Sequence, residues 1–272
     1  MRSKWQWFLV LAVIPAWAVL GMGALASEPL RVYTVKNISA EVDNLGKEFS
    51  ARNPQTSVLV TGGVPELGFA PFAAGHHDIL ICPQGQLDPT KLATGKGFQL
   101  ADMPVGSYGM AIIVSPSLAI PEPTLADVRK LFAGEYTNWA QLGGPNEPIK
   151  VYAREPNSGA TVYMKTKVLG GADITDTATE LAFDKEIIRR ISQSAGSIGY
   201  VRANRLSGTN LKAFALKREA NSPGMDPSED NVRNGSYPLT VILAAHWNGL
   251  SNKTSSILSF VNFCKESDLG LK

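Results

Sequence analysis

The chain predicts an α/β fold, and three observations carry that expectation. Short apolar runs alternate along the sequence with stretches of helical period, the pattern of strands connected through helices. One of those stretches, Thr124 to Phe132, has both a start and a stop signal for a helix. The chain is also long enough, at about 246 residues without its leader, to bury one large core or two medium ones.

Taken in order, Leu30 to Val35 reads as a strand, and Ser39 can cap a helix whose Val42, Leu45 and Phe49 share one face. Ser57 to Val60 and Asp78 to Cys82 read as strands, the latter stopped by Pro83, and Met110 to Val114 is a strongly apolar strand. Thr124 and Asp127 have capping-box spacing ahead of an apolar stripe of Leu125, Val128, Leu131 and Phe132, with Gly134 as a fitting stop. Ile149 to Tyr152 predicts a strand, Gly159 to Leu169 a helix and Ser197 to Val201 a short strand. Leu239 to Leu243 predicts the last strand, with His246 beyond it, and Ile257 to Cys264 the last helix. Asn221 to Asn234, rich in Pro, Asp, Asn and Ser, predicts an irregular loop.

Residues 1–26 read as a secretory leader rather than part of the fold. Arg2 and Lys4 precede an apolar run from Trp5 to about Met22, and Ala24-Leu25-Ala26 is a small-x-small cleavage site. No basic stop-transfer cluster follows the run, so cleavage near Ala26 is expected over a membrane anchor, with a periplasmic or secreted destination. Lys and Arg number 26 and Asp and Glu 24, so removing Arg2 and Lys4 with the leader makes the two equal. A neutral surface gives no reason to expect nucleic acid or an anionic membrane as partner. Cys82 and Cys264 enter an oxidising compartment and are open to pairing or to burial as free thiols. His76, His77 and His246 have no metal-ligand spacing, so no metal and no cofactor are expected.

One stretch, "AREPNSGATVY" from Ala153 to Tyr163, carries candidate chemistry. Arg154 ends an expected strand, and Ser158 can cap the helix that follows. Gly159 allows backbone to approach a ligand, and Ala160 and Thr161 would present first-turn N–H groups that lack helical partners. A guanidinium, a hydroxyl and free amides are what a small oxyanion requires. A plain capped helix with a surface arginine, or with Arg154 paired to Glu66, is the alternative reading of the same residues.

Four segments occur in order: "TLADVRKLFAGEYTNWAQLGGP" (Thr124 to Pro145), "REPNSGAT" (Arg154 to Thr161), "GSIGYV" (Gly196 to Val201) and "NGSYPL" (Asn234 to Leu239). Together they resemble the periplasmic phosphate-binding proteins of ABC importers, over about Leu30 to Phe263. The resemblance implies a type 2 periplasmic-binding-protein fold, with two α/β lobes joined by two hinge strands. The first lobe would be 27–107 plus 211–272 and the second 108–210. It implies a monomer that holds a small anion, most simply phosphate, in the cleft and presents it to a permease. In that family the residues matching Arg154, Ser158 and Gly159 contact phosphate.

The opposite wall would be the "KNIS" turn, where Asn37 and Ser39 stand in for the family's Gly- and Ser/Thr-rich segment. Three departures are expected to matter. Ala160 replaces a usual threonine, Val64-Pro65-Glu66 replaces an amide-rich turn, and Pro83 stands where a proton-accepting acid often does. A different oxyanion, a carboxylate ligand, or a secreted module without transport therefore stay open. Hydrolysis is disfavoured, because Ser158 lacks the Gly-x-Ser-x-Gly elbow and a nearby base.

Overall fold

The computed structural model describes residues 28–92 and 97–270, so the leader expected over residues 1–26 lies outside the described residues. β1 (Leu30–Val35) is buried along nearly its whole length. It enters a 3-10 turn at Lys36–Ile38 and then α1 (Ser39–Arg52), whose Val42, Leu45 and Phe49 are buried as their spacing predicts. Ser39 does not cap this helix. Ile38 precedes the first turn, and the Ser39 hydroxyl donates to Lys36 O at 2.9 Å, which tightens the turn instead.

β2 (Val58–Gly63) runs past its expected end at Val60, and α2 (Pro65–Ala73) starts directly after it with proline at a first-turn position. β3 (Ile79–Pro83) is fully buried. β4 (Leu100–Val114) is much longer than the apolar run at Met110–Val114 suggested. Its first half alternates between partly exposed and exposed positions, a weaker signal than a continuous apolar run. α3 (Leu125–Ala133) has the expected capping box, Thr124 with Asp127, and ends at Gly134 with φ 79°.

β5 (Lys150–Arg154) leads to α4 (Gly159–Tyr163), which passes into a π-helical turn at Met164–Val168. β6 (Thr179–Leu181) and α5 (Asp184–Gln193), which no expectation covered, precede β7 (Ser197–Arg202) and the short β8 (Lys212–Ala213). α6 (Glu229–Arg233) is a single helical segment inside the expected loop. β9 (Thr240–Asn248) extends past Leu243, so His246 lies within the strand rather than after it. α7 (Thr254–Glu266) covers the expected last helix, and Phe260 packs edge-on against Phe49 with ring centroids 5.3 Å apart.

The strands join in the order β2-β1-β3-β9-β4-β7-β5-β6, with β8 paired to β4. β1 pairs parallel with β2 and β3, and β5 pairs parallel with β6 and β7; β9 and β4 run antiparallel to their neighbours. β4 joins the two halves. Leu100 to Gly109 pair with β9, and Met110 to Val114 pair with β7. The hand-over therefore falls just after Tyr108. On the return, β8 pairs with Ile113 and Val114, and Lys217 bridges to Thr124, so the chain stays with the β7 half well beyond Leu211. Tyr237, fully buried, then donates to Met110 O at 2.8 Å beside the same hand-over. The result is the mixed α/β architecture of two lobes sharing strands.

Cys82 and Cys264 are both buried and free, and burial pushes each thiol up to about 12. Both act as small apolar core residues.

Candidate functional site

Parallel strands release their chains at the same edge of a sheet, so the turns after β1 and β5 project from carboxyl ends of strands in the two halves. These two turns meet. A Cβ built on Gly159 would stand 3.8 Å from Asn37 Oδ1, ordinary van der Waals distance. Asn37, on the β1–α1 turn, and Gly159, at the start of α4, thus face each other across the seam. Asn37 also donates through Nδ2 to the Tyr108 hydroxyl at 3.3 Å, which ties the turn to the hand-over point of β4.

The β5–α4 turn is held by a network of hydroxyls. Ser158 caps α4 as expected, its Oγ accepting from Thr161 N at 3.1 Å and donating to Thr161 Oγ1 at 3.0 Å. The Thr161 hydroxyl also lies 2.9 Å from Arg154 O and 2.7 Å from the Tyr200 hydroxyl. Tyr200 in turn accepts from Arg154 N at 3.1 Å. Thr161 is 2 % exposed, with both its amide and its hydroxyl engaged, so it braces the turn rather than presenting a free N–H. Gly159 and Ala160 retain the first-turn amides that a helix cannot satisfy itself.

Arg154 is less free than the sequence suggested. Its Nη1 donates to Asp184 at the start of α5, and its Nη2 donates to Ala182 O at 2.6 Å. The carboxylate partner is Asp184 rather than Glu66. Arg154 Nε is buried with no hydrogen-bond partner. On the facing turn, Asn37 Oδ1 is in the same condition. A buried polar atom without a partner is costly, and such atoms are usually satisfied by water, an ion or a ligand.

The end of β2, next to the β1–α1 turn, is tightly packed. A Cβ on Gly62 would meet Ser39 Cβ at 2.5 Å, and one on Gly63 would meet the Tyr33 hydroxyl at 2.1 Å. That hydroxyl donates to Val64 O at 2.8 Å. The segment where Val64-Pro65-Glu66 was expected to replace an amide-rich turn is strand, packed side chains and a helix that starts with proline. Ser39, with its hydroxyl on Lys36 O, belongs to this packing.

Sequence reading missed three residues that shape the seam: Tyr108, Tyr200 and Arg202. Strand alternation places Ile198, Tyr200 and Arg202 on one face of β7, and all three are buried. That alternation was available in the sequence. Burial raises the phenol pKa of both Tyr108 and Tyr200, only partly offset by hydrogen bonds from Asn37 and Thr161 respectively, so both stay neutral. Asp184 left no local signal, since only the fold brings it to Arg154.

A cavity of about 230 Å³ opens where β4 passes between the halves, lined by Ser107, Tyr108, Gly109, Ala203 and Val232. A cavity of about 340 Å³ is walled by Pro83, Gln84 and Gln86 after β3 and by Tyr163, Thr166 and Lys167 of α4 and its π turn. The Tyr163 hydroxyl reaches Thr240 O at 3.4 Å across its base. Among the described residues no group of three or more His, Cys, Asp or Glu could hold a metal ion.

Comparison with known proteins follows the same outline. Protein SphX of Synechococcus elongatus is 28 % identical over 233 residues, covering 80 % of this chain and 68 % of that protein. The phosphate-binding protein PstS of Bacillus subtilis is 23 % identical over 228 residues, covering 82 % and 70 %. The crystal structure of an ABC-type phosphate transport receptor from Vibrio cholerae superposes with a TM-score of 0.75 at 20 % identity, over 89 % of this chain and 96 % of that one, a likeness of fold. A family model described as the PBP superfamily domain matches residues 25–263, and the chain belongs to that family.

Proposed function

We propose that this chain is an exported solute-binding protein that captures a small oxyanion, phosphate first, between its lobes and hands it to an ABC permease. One observation carries the reading: Asn37 Oδ1 and Arg154 Nε, contributed by turns of opposite halves, are both buried without partners. An oxyanion bearing a proton offers an acceptor to the guanidinium and a donor to the amide oxygen. Gly159 and Ala160 add the turn's amides, the Ser158 hydroxyl would turn its proton from Thr161 Oγ1 to the ligand, and Thr161 and Tyr200 hold that turn in place. Ser39 closes the first turn from behind.

We place the first lobe crossing at Tyr108 and the return crossing near Leu239 instead of near Leu211. The pairing of β8 with β4 and the Tyr237–Met110 bond support the later boundary. Hinge motion about these crossings would open the seam to solvent. Export rests on the leader, and no helix among the described residues is long and apolar enough to cross a membrane. The names of the relatives, SphX aside, favour phosphate as ligand. No catalytic step is assigned, since the Ser158 hydroxyl bonds Thr161 and not a base.

The test is thermal unfolding of protein stripped of anion by unfolding and refolding, against phosphate, sulfate, molybdate and small carboxylates. Phosphate at a hundredfold excess over its dissociation constant should add about 2.7 kcal/mol. A flat response to every anion would leave a secreted module of this fold without the proposed ligand.

A further inference from the structure

Arg202, the last residue of β7, is 4 % exposed, yet it was not among the residues expected to bind. Its Nη2 donates to Glu41 Oε1 at 2.9 Å, and Glu41 belongs to the first turn of α1 in the other half. Its Nη1 is buried and has no partner. The guanidinium carbon stands 5.9 Å from the centroid of the Tyr108 ring. The hydroxyl of that same ring holds Asn37, whose Oδ1 is also unpartnered. An unused donor and an unused acceptor thus flank one buried tyrosine at the seam.

Glu41 is placed to leave. Its side chain is 18 % exposed, and it already contacts a second cation, Arg205, at 3.3 Å. Arg205 is 48 % exposed, so a displaced carboxylate would keep a partner in a well-solvated position. A carboxylate and a small oxyanion present the same two-oxygen edge to a guanidinium fork.

We propose that Arg202 is a second guanidinium contact for the bound oxyanion, and that Glu41 is a placeholder that the ligand displaces toward Arg205. The proposal rests on the reading of the seam as an oxyanion site. It makes Glu41 an affinity-lowering residue, because each anion that binds must first compete with a carboxylate of the chain itself. It gives the anion a second cationic contact from the same half as Arg154, next to the Tyr108 whose hydroxyl holds Asn37 of the facing turn.

The experiment is equilibrium dialysis of radiolabelled inorganic phosphate against the wild-type chain, Glu41→Gln, the double variant Glu41→Gln/Arg202→Gln, and Arg154→Gln. The amide oxygen of Glu41→Gln can still accept from Arg202, and removing both charges leaves no unpaired buried ion, so both variants are expected to fold, and melting curves check that they do. Glu41→Gln should bind phosphate about tenfold more tightly than wild type, and adding Arg202→Gln should weaken binding again by at least about tenfold. A Glu41→Gln affinity equal to or below wild type overturns the proposal, as does a double variant that binds as tightly as Glu41→Gln. If wild type binds and Arg154→Gln does not, either of those outcomes removes Arg202 and Glu41 from the site while the oxyanion reading stands. If neither wild type nor Glu41→Gln binds phosphate, the oxyanion reading falls with it.

Discussion

Asp184, the first residue of α5, holds the guanidinium of Arg154 at the end of β5, and Ala182 O takes its other terminal nitrogen. The pair is mostly buried, at 17 % and 16 % side-chain exposure. It orients the arginine and leaves Nε as its unspent donor.

Arg154→Gln should therefore act twice. It removes the donor proposed to face the ligand, and it strands Asp184 without its cation. Urea unfolding should show a loss of about 1–3 kcal/mol, the range for breaking a partly buried charged hydrogen bond. Asp184→Asn should destabilise less, because the amide can still accept from the guanidinium. An Arg154→Gln protein as stable as wild type would mean that the pair contributes nothing to the fold.

Ser158→Ala removes the cap of α4 and the hydroxyl that meets Thr161. A cap of this kind is worth about 1 kcal/mol, and a loss of that size in the unfolding free energy from urea titration is expected. Ser158→Asp should keep much of the cap while placing a negative charge at the proposed anion site. Retained stability with lost phosphate binding in that variant would separate the two roles of Ser158.

The glycines of the two facing walls should respond differently to alanine. Gly68→Ala would press a Cβ to 2.3 Å from the Tyr33 ring, and Gly63→Ala to 2.1 Å from its hydroxyl. Each should cost about 1–3 kcal/mol through overpacking. At Gly159 the nearest atom to a new Cβ is Asn37 Oδ1 at 3.8 Å, so Gly159→Ala should fold nearly as well as wild type. Differential scanning calorimetry of the three variants checks the order.

His246 gives the fold a pH dependence. It is 6 % exposed, neither ring nitrogen has a partner, and burial lowers its pKa, opposed by the smaller pull of Asp102 on the neighbouring strand. The unfolded chain therefore binds the proton more readily than the folded one. Stability from this residue is fully present above the ordinary histidine value of about 6.5 and is lost as pH falls from there toward the folded pKa. Urea midpoints should drop between about pH 7.5 and about pH 5.5, and His246→Gln should flatten that drop. An unchanged slope in the variant would assign the effect to other groups.

Much of this protein is legible in one dimension. The helix of α3 was marked by its capping box and stripe because both are local, set by residues within a few positions of one another. The cap at Ser158 was legible for the same reason, and so was the departure at Pro65, where a missing N–H is a property of the residue itself. Order and spacing of four segments pointed to the family. Tertiary structure decided the rest. Ser39 turned from cap to turn-closer once the chain entered α1 through a 3-10 turn, and β4 grew backward from its apolar end because pairing with β9 supplies hydrogen bonds that its composition does not advertise. Whether Arg154 faces a ligand or a carboxylate, and whether Arg202 meets Glu41 across the seam, depends on residues far apart in the chain. A sequence records each charge, but an ion pair is a distance, and only the packing of two lobes sets it.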